Sequence, residues 1–260
     1  MTRIIVTGIG GRMGSRIADI VRETSGLTLA GATEAPGSFA IGTTLPEGQQ
    51  VVDDLSKNVA HGDVVIDFTS PKATIHHAEI AAKAGKALVV GTTGFSDEEK
   101  HKLTALLKTM PSVFSSNMSI GMNVLFKIAA EAARRLGEDY DIEIFEAHHR
   151  HKKDAPSGTA LSLAEEIAAA VSRNLKDVAR YERHGQIGER KPREIGIQTL
   201  RGGDIVGDHT VYFAGSGERL ELTHRATSRD NFARGAVLAA KWLQGKAPGI
   251  YTMSDVLGLS

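Results

Sequence analysis

The apolar positions of this chain follow two different rhythms. Up to about residue 120, short β-branched runs alternate with longer stretches whose apolar residues recur at helical spacing. Arg3–Thr7, Thr28–Ala32, Asp63–Thr69, Ala87–Val90 and Ser112–Ser115 read as strands. Several are apolar throughout, as strands covered on both faces must be. Met13–Glu23, Lys72–Ala84 and Asp97–Lys108 read as the helices between them. Such alternation predicts right-handed crossovers and a doubly wound parallel sheet, an α/β fold.

A second pattern starts near Gly121. Met122–Leu136 is a predicted helix, Ile142 and Ile144 alternate with charged neighbours, and another helix spans about Thr159–Asn174. Glu194–Arg201, His209–Ala214 and Arg219–Arg225 then follow as strands without intervening helices. Gly202-Gly203 and Gly215-Ser216-Gly217 join them, the small turns expected of a meander. The expectation is a second α+β domain with an open, mainly antiparallel sheet, whose uncovered edge and face favour an oligomer interface. Arg229–Leu243 returns to helical spacing, and Ile250–Leu259 is apolar enough to dock on the first block. The expected division is 1–120 with 229–260 as a dinucleotide-binding domain and 121–228 as a substrate-binding and oligomerisation domain. Gln186–Arg193, rich in Gly, Glu, Arg and Lys, is the expected mobile loop.

Composition narrows the chemistry. The 260 residues carry 31 Lys+Arg against 31 Asp+Glu, which argues against a nucleic-acid coat or a polybasic membrane binder. The absence of cysteine removes disulfides, zinc–thiolate sites, iron–sulfur clusters and thiol nucleophiles. No segment reaches the ~20 apolar residues of a membrane span, and the chain is strand-like from Arg3 with no leader pattern, so a cytoplasmic location is expected.

The first strand runs into Gly8-Ile9-Gly10-Gly11-Arg12-Met13-Gly14 and then a helix. Glycines let the backbone turn sharply and bring its N–H groups against a pyrophosphate, with the helix N-terminus adding partial positive charge. Glu34, at the end of the second strand, is placed to accept both ribose hydroxyls of an adenosine. Strand, glycine turn, helix and acid together specify a Rossmann-type dinucleotide site. The residue after Glu34 is Ala35 rather than an arginine for a 2′-phosphate, which leans toward NADH over NADPH, although Arg12 is another cation close by. Gly91-Thr92-Thr93-Gly94 and Phe114-Ser115-Ser116-Asn117 end two further parallel strands. Either is a candidate nicotinamide and ribose slot, or an ordinary strand–helix turn.

Glu143–Ala160 reads Glu-Ile-Phe-Glu-Ala-His-His-Arg-His-Lys-Lys-Asp-Ala-Pro-Ser-Gly-Thr-Ala. The three histidines and three cations of residues 148–153 repel one another unless an anion or solvent accepts them. Asp154 or Ser157 caps a helix whose first amides, those of Gly158 and Thr159, form a cradle for a carboxylate. A small polyanionic substrate fits this cluster. A solvated basic loop is the plain alternative, and His148, His149 and His151 are a conceivable metal set. The neighbouring Arg and Lys charges oppose a metal ion, so none is expected.

These segments together resemble the dihydrodipicolinate reductase (4-hydroxy-tetrahydrodipicolinate reductase) family of bacterial lysine and diaminopimelate synthesis. Glu143–Ala160 matches that family's motif along its length, and Gly8–Gly14, Gly91–Phe95 and Ser116-Asn117-Met118-Ser119-Ile120-Gly121-Met122-Asn123 appear in order across essentially the full chain. The resemblance implies reduction of a cyclic, unsaturated dicarboxylate imine to tetrahydrodipicolinate by NADH or NADPH. It implies that His148 is the acid/base residue, that Lys152 is the proton donor, and that His149 with Gly158 and Thr159 holds the substrate. It assigns Gly8, Ile9, Gly10, Gly11, Arg12, Met13, Glu34, Gly91, Thr92, Thr93, Ser115, Ser116, Asn117 and Met118 to the cofactor. It also implies a homotetramer built through the second domain's sheet. One departure is Ala35, where members that use NADPH readily carry a basic residue. A dehydrogenase for another small dicarboxylate has no reason to carry the His-His-x-x-Lys run with Pro-Ser-Gly-Thr. A non-catalytic dinucleotide sensor would be expected to have lost His148 or Lys152, and both are present.

Overall fold

The structure, a computed structural model, describes residues 1–259. The chain divides into two compact units, residues 1–120 with 230–260 and residues 121–229.

The first unit is built on β1 (Thr2–Thr7), β2 (Leu27–Thr33), β3 (Val64–Asp67), β4 (Ala87–Val90), β5 (Pro111–Phe114) and β11 (Gly249–Tyr251). They form one six-stranded sheet in the order β11-β5-β4-β3-β1-β2, and every pairing is parallel. The strands are apolar on both faces because helices cover both. Ile4, Val6, Ile66, Val89 and Val113 pack with Ile17 and Val21 of α1 (Arg12–Glu23) and Ala236 and Val237 of α7 (Asp230–Trp242). Their neighbours Ile5, Val65, Leu88 and Val90 face the other way, against Ala78 of α2 (Pro71–Lys83) and Leu103 and Leu107 of α3 (Asp97–Leu107). Pro71 sits in the first turn of α2, and Ser96 with Glu99 forms a capping box for α3. After α7 the chain adds β11 beside β5 and ends in α8 (Met253–Leu257), whose Met253 and Val256 join the same core.

The second unit contains α4 (Ile120–Leu136), β6 (Asp141–His148), α5 (Gly158–Ala170), α6 (Leu175–Val178), β7 (Ala179–Arg180), β8 (Ile195–Arg201), β9 (Gly207–Ala214) and β10 (Arg219–Ala226). Its five-stranded sheet has the order β10-β9-β6-β8-β7. β6 and β10 run antiparallel to β9, while β8 is parallel to both β6 and β7, so the sheet is mixed, and mainly antiparallel by the length of its ladders. Ile142, Ile144, Ile195, Ile197, Val211 and Phe213 form its covered face, packed on α4 and α5. Strand alternation carries that face on to Glu146 and His148.

One expectation is corrected here. β8 and β9 do not form a hairpin, because β6 inserts between them, and residues 202–206 pass over the carboxyl end of β6 instead. Gly202 N donates to His148 O and Arg150 N donates to Gly203 O, so this connection clasps the end of β6. The loop over Gln186–Arg193 is anchored at Arg190. Arg190 donates to Asp141 and Glu143 and to the carbonyls of Ile142 and Glu194, and Arg183 adds a two-pronged pair to Glu143. Glu143 lies flat across β8 because Gly196 there has no side chain; a Cβ would stand 1.8 Å from its carboxylate.

Candidate active site

In the first unit the order of the strands reverses between β1 and β3, and open α/β sheets bind ligands outside the carboxyl ends of the strands at such a point. A cleft of about 400 Å³ lies there, lined among others by Gly8, Gly11, Glu34, Ala35, Phe68 and Thr69. Gly8 adopts φ +68°, and a Cβ on it would press on Thr69 Cγ2 at 2.9 Å. A Cβ on Gly14 would stand 2.0 Å from Gly8 O, so only glycine lets α1 start this close to the end of β1. Glu34 Oε2 accepts from Gly10 N at 2.7 Å and Oε1 from Ala35 N at 2.8 Å, which fixes the carboxylate at the rim of the glycine turn. The first turn of α1 carries no acidic residue. Arg12 is exposed, and Met13 and Ile9 are partly buried against the core.

The turns after β4 and β5 are stabilised internally. The Thr92 hydroxyl donates to buried Asp67 and accepts from Thr69 N and Thr74 Oγ1. Gly91 lies against Phe68, whose ring would be 2.2 Å from a Cβ there. Ser115 Oγ donates to Asn117 O, Asn117 Oδ1 accepts from Ser119 N, and Ser116 is exposed. Met118 is buried, its carbonyl lying where a side chain on Gly235 of α7 would be.

The second unit gathers its polar groups at the end of β6. Glu146 is fully buried and engaged on both oxygens. Oε1 accepts from Ser157 N at 3.0 Å, Thr199 Oγ1 at 3.1 Å and Arg201 Nη2 at 2.8 Å; Oε2 accepts from Arg201 Nη1 at 2.8 Å and lies 2.6 Å from His148 Nδ1. Burial opposes its ionisation, but His148, Arg201 and the Ser157 amide outweigh that and hold the carboxyl well below the usual range. His209 from β9 meets His148 edge-on with ring centroids 5.3 Å apart. Its Nε2 is 3.3 Å from Ser157 Oγ, and burial, then the neighbouring His148, pushes its pKa down to about 3. Ser157, not Asp154, caps α5 by accepting from Ala160 N.

The 149–153 turn brings the remaining predicted residues beside this core. Lys152 Nζ is 2.9 Å from Asp154 Oδ1, and Lys152 N donates to His149 O. Desolvation, then the positive charge of Arg229, the neighbouring imidazoles of His148 and His151 and the charge of Lys152, lowers the pKa of His149. Gly158 opens α5, and a Cβ on it would meet only open space. Sequence reasoning missed Glu146, Thr199, Arg201 and His209. One signal was present: Glu146 continues the inward-facing series Ile142, Ile144, where a charged residue needs a partner.

A doubly wound parallel sheet with a glycine turn and a clamped acid at its switch point, joined to a smaller mixed-sheet unit with a buried His–carboxylate centre, defines a two-domain nicotinamide-nucleotide oxidoreductase. The family models "Dihydrodipicolinate reductase, N-terminus" and "Dihydrodipicolinate reductase, C-terminus" match residues 2–118 and 121–257. The chain is 56% identical over 266 aligned residues to the 4-hydroxy-tetrahydrodipicolinate reductase of Anaeromyxobacter dehalogenans, covering 100% of this chain and 98% of that one. It is equally 56% identical to the enzyme of the same name from Desulfotalea psychrophila, covering 100% and 99%. Among solved structures it is similar in fold to a dipicolinate-bound dihydrodipicolinate reductase from Paenisporosarcina sp. TG-14, with a TM-score of 0.77 and 24% identity over 97% of both chains. The chain belongs to the dihydrodipicolinate reductase family.

Proposed function

We propose that this enzyme reduces 4-hydroxy-tetrahydrodipicolinate, by way of dihydrodipicolinate, to tetrahydrodipicolinate in lysine and diaminopimelate synthesis. The observation that carries the reading is the end of β6, where His148 and the start of α5 meet one buried carboxylate and Lys152 stands in the turn that follows. In this reading the first unit binds the dinucleotide. Gly8, Ile9, Gly10, Gly11, Arg12 and Met13 hold the pyrophosphate, Glu34 takes the ribose hydroxyls, and the turns at Gly91–Thr93 and Ser115–Met118 line the nicotinamide end. The glycine turn fits such a group, since Cβ atoms at Gly8, Gly10 or Gly14 would press on Thr69, Glu34 or the Gly8 carbonyl and force the tight turn open.

The nicotinamide cofactor supplies the hydride. Its arrival on the conjugated imine leaves an enamine that needs a proton, and Lys152 donates it while His148 serves as the acid/base group. His149 and the Gly158-Thr159 amides hold a substrate carboxylate, and the cations of the 149–153 turn stabilise the resident negative charge. NADH is the favoured cofactor, supported by Ala35 and by Asp53 and Asp54, which add two carboxylates to the cleft wall near Glu34. Assembly is as a homotetramer through the face of the second unit's sheet that carries Phe145, Gln198 and Tyr212, opposite the face that α4 and α5 cover. The setting is the cytoplasm; no helix among the described residues is long and apolar enough to cross a membrane.

The test is oxidation of NADH, and separately NADPH, by purified protein given freshly generated 4-hydroxy-tetrahydrodipicolinate. Substrate-dependent oxidation, faster with NADH, is expected. No oxidation by a protein that binds NADH would redirect the reading to another dicarboxylate or to a dinucleotide sensor.

A further inference from the structure

We infer that Glu146 is the positioning residue for His148, holding the imidazole as the Nδ1–H form with Nε2 as its exchanging nitrogen, while Arg201 balances the carboxylate's charge. The inference rests on the reading of His148 as the acid/base group.

Geometry carries the first half. An ionised carboxylate only accepts, so the nitrogen 2.6 Å from Glu146 Oε2 must be the one bearing hydrogen. The neutral imidazole then keeps its lone pair on Nε2, beside Gly207, where a Cβ would come within 3.0 Å of that nitrogen. Protons are gained and lost at Nε2, the Nδ1–H bond stays intact throughout, and Glu146 remains ionised. The carboxylate itself cannot swing, because Ser157 N, Thr199 Oγ1 and the Arg201 fork hold it from α5 and β8.

Charge carries the second half. A lone buried carboxylate against His148 would favour the imidazolium and oppose proton release. Arg201 places one positive charge on the same carboxylate through two 2.8 Å bonds, so the pair presents little net charge to His148. Arg201 is itself fixed by the carbonyls of Leu200 and Asp154. His209 from β9 also faces His148 and is kept uncharged by burial, and the turn that follows carries the titratable groups His149, His151, Lys152 and Asp154. Removing either member of the Glu146–Arg201 pair should therefore move His148 titration in opposite directions, which a purely structural role would not do.

The experiment is nitrogen-15 NMR of the full-length, histidine-labelled protein, with His148 assigned by its loss in His148→Gln, alongside steady-state kinetics. The parent should show the Nδ1–H tautomer. Glu146→Gln should lower the His148 midpoint and Arg201→Met should raise it, each by about half a pH unit or more. Glu146→Gln should also cut kcat by about 10–100-fold with KM within about threefold. An Nε2–H tautomer, unmoved midpoints, midpoints moving together, or an undiminished kcat overturns the proposal. If Glu146→Gln does not fold, the Arg201 variants decide: Arg201→Lys keeps the charge and should return the midpoint toward the parent, and equal midpoints in Met and Lys variants overturn it. Full turnover in His148→Gln would overturn the acid/base reading and this proposal with it. Lost turnover there with unmoved midpoints would overturn the positioning role alone.

Discussion

Each unit buries one carboxylate against one imidazole. Asp67 meets His77 Nδ1 at 2.6 Å in the first, and Glu146 meets His148 Nδ1 at 2.6 Å in the second, both carboxylates at 0% exposure and both at the carboxyl end of a strand. Their other partners differ. Asp67 accepts from the Thr69 amide and from the hydroxyls of Thr69, Thr74 and Thr92, all neutral, so His77 is the partner able to offset its charge. Glu146 has the Arg201 guanidinium for that purpose. The Asp67 centre therefore ties β3, α2 and the turn after β4 into one block beneath the cleft. The Glu146 centre instead joins β6, β8 and the start of α5, and in the proposed reading it orients His148. Distance alone does not separate the two carboxylate–histidine pairs; the third charge does.

The comparison breaks most easily at Asp67. Asp67→Ala leaves His77 and three threonine hydroxyls without their acceptor and should lower unfolding stability by about 3–5 kcal/mol in urea titrations. A loss below about 1 kcal/mol would show the pair to be dispensable. Burial opposes ionisation of Asp67, but His77 and the Thr69 donors prevail, and its folded pKa lies below 3.8. Its contribution is thus present above pH 3.8 and lost as pH falls through the folded value.

Next in size is the counterpart in the second unit. Lys152→Ala removes the ion pair to the exposed Asp154 and the proposed proton donor, so kcat should fall by about two orders of magnitude, roughly 2.7 kcal/mol, with circular dichroism unchanged. Unchanged turnover would remove Lys152 from the mechanism.

An effect that appears only as the pH is lowered sharpens the electrostatic side. His209 is held neutral in the fold down to about pH 3, whereas an unfolded histidine titrates near 6.5. As pH falls below 6.5 the unfolded chain takes up a proton that the folded chain refuses, so stability declines until about pH 3. His209→Gln should flatten this decline in urea unfolding measured across that range; an identical slope would mean that His209 does not contribute to it.

The smallest effect lies at the cleft rim. Ala35→Arg should raise the NADPH/NADH ratio of kcat/KM only a few-fold, since an exposed cation is worth about 1 kcal/mol or less. No change in the ratio would count against Ala35 as a determinant.

Most of the first unit is legible in the sequence, and for a local reason. Ile4 to Val6, Val64 to Ile66 and Leu88 to Val90 are apolar without interruption, and the need for glycine at positions 8 and 14 comes from the backbone within one turn. The Asp67 centre is hidden there, because Asp67 reads as the end of an apolar strand and its threonine partners as ordinary turn residues. In the second unit the His148–Lys152 run and the start of α5 are legible as a cluster. Arg201 and His209 are not, standing 55 and 63 positions beyond Glu146.

What the amino-acid sequence determined by itself was therefore whatever depends on near neighbours: strand and helix periodicity, the glycine turn, the acid after it, and the basic run that ends β6. Tertiary structure alone decided which strands are partners. The expected meander holds between β9 and β10 but fails between β8 and β9, because Gly202-Gly203 is equally compatible with a hairpin and with a crossing over β6, and only the burial of Ile142 and Ile144 between Ile195, Ile197, Val211 and Phe213 selects the second. That pairing also places Thr199 and Arg201 of β8 and His209 of β9 around Glu146. Hydrophobic burial chose the register, and the register assembled the charges.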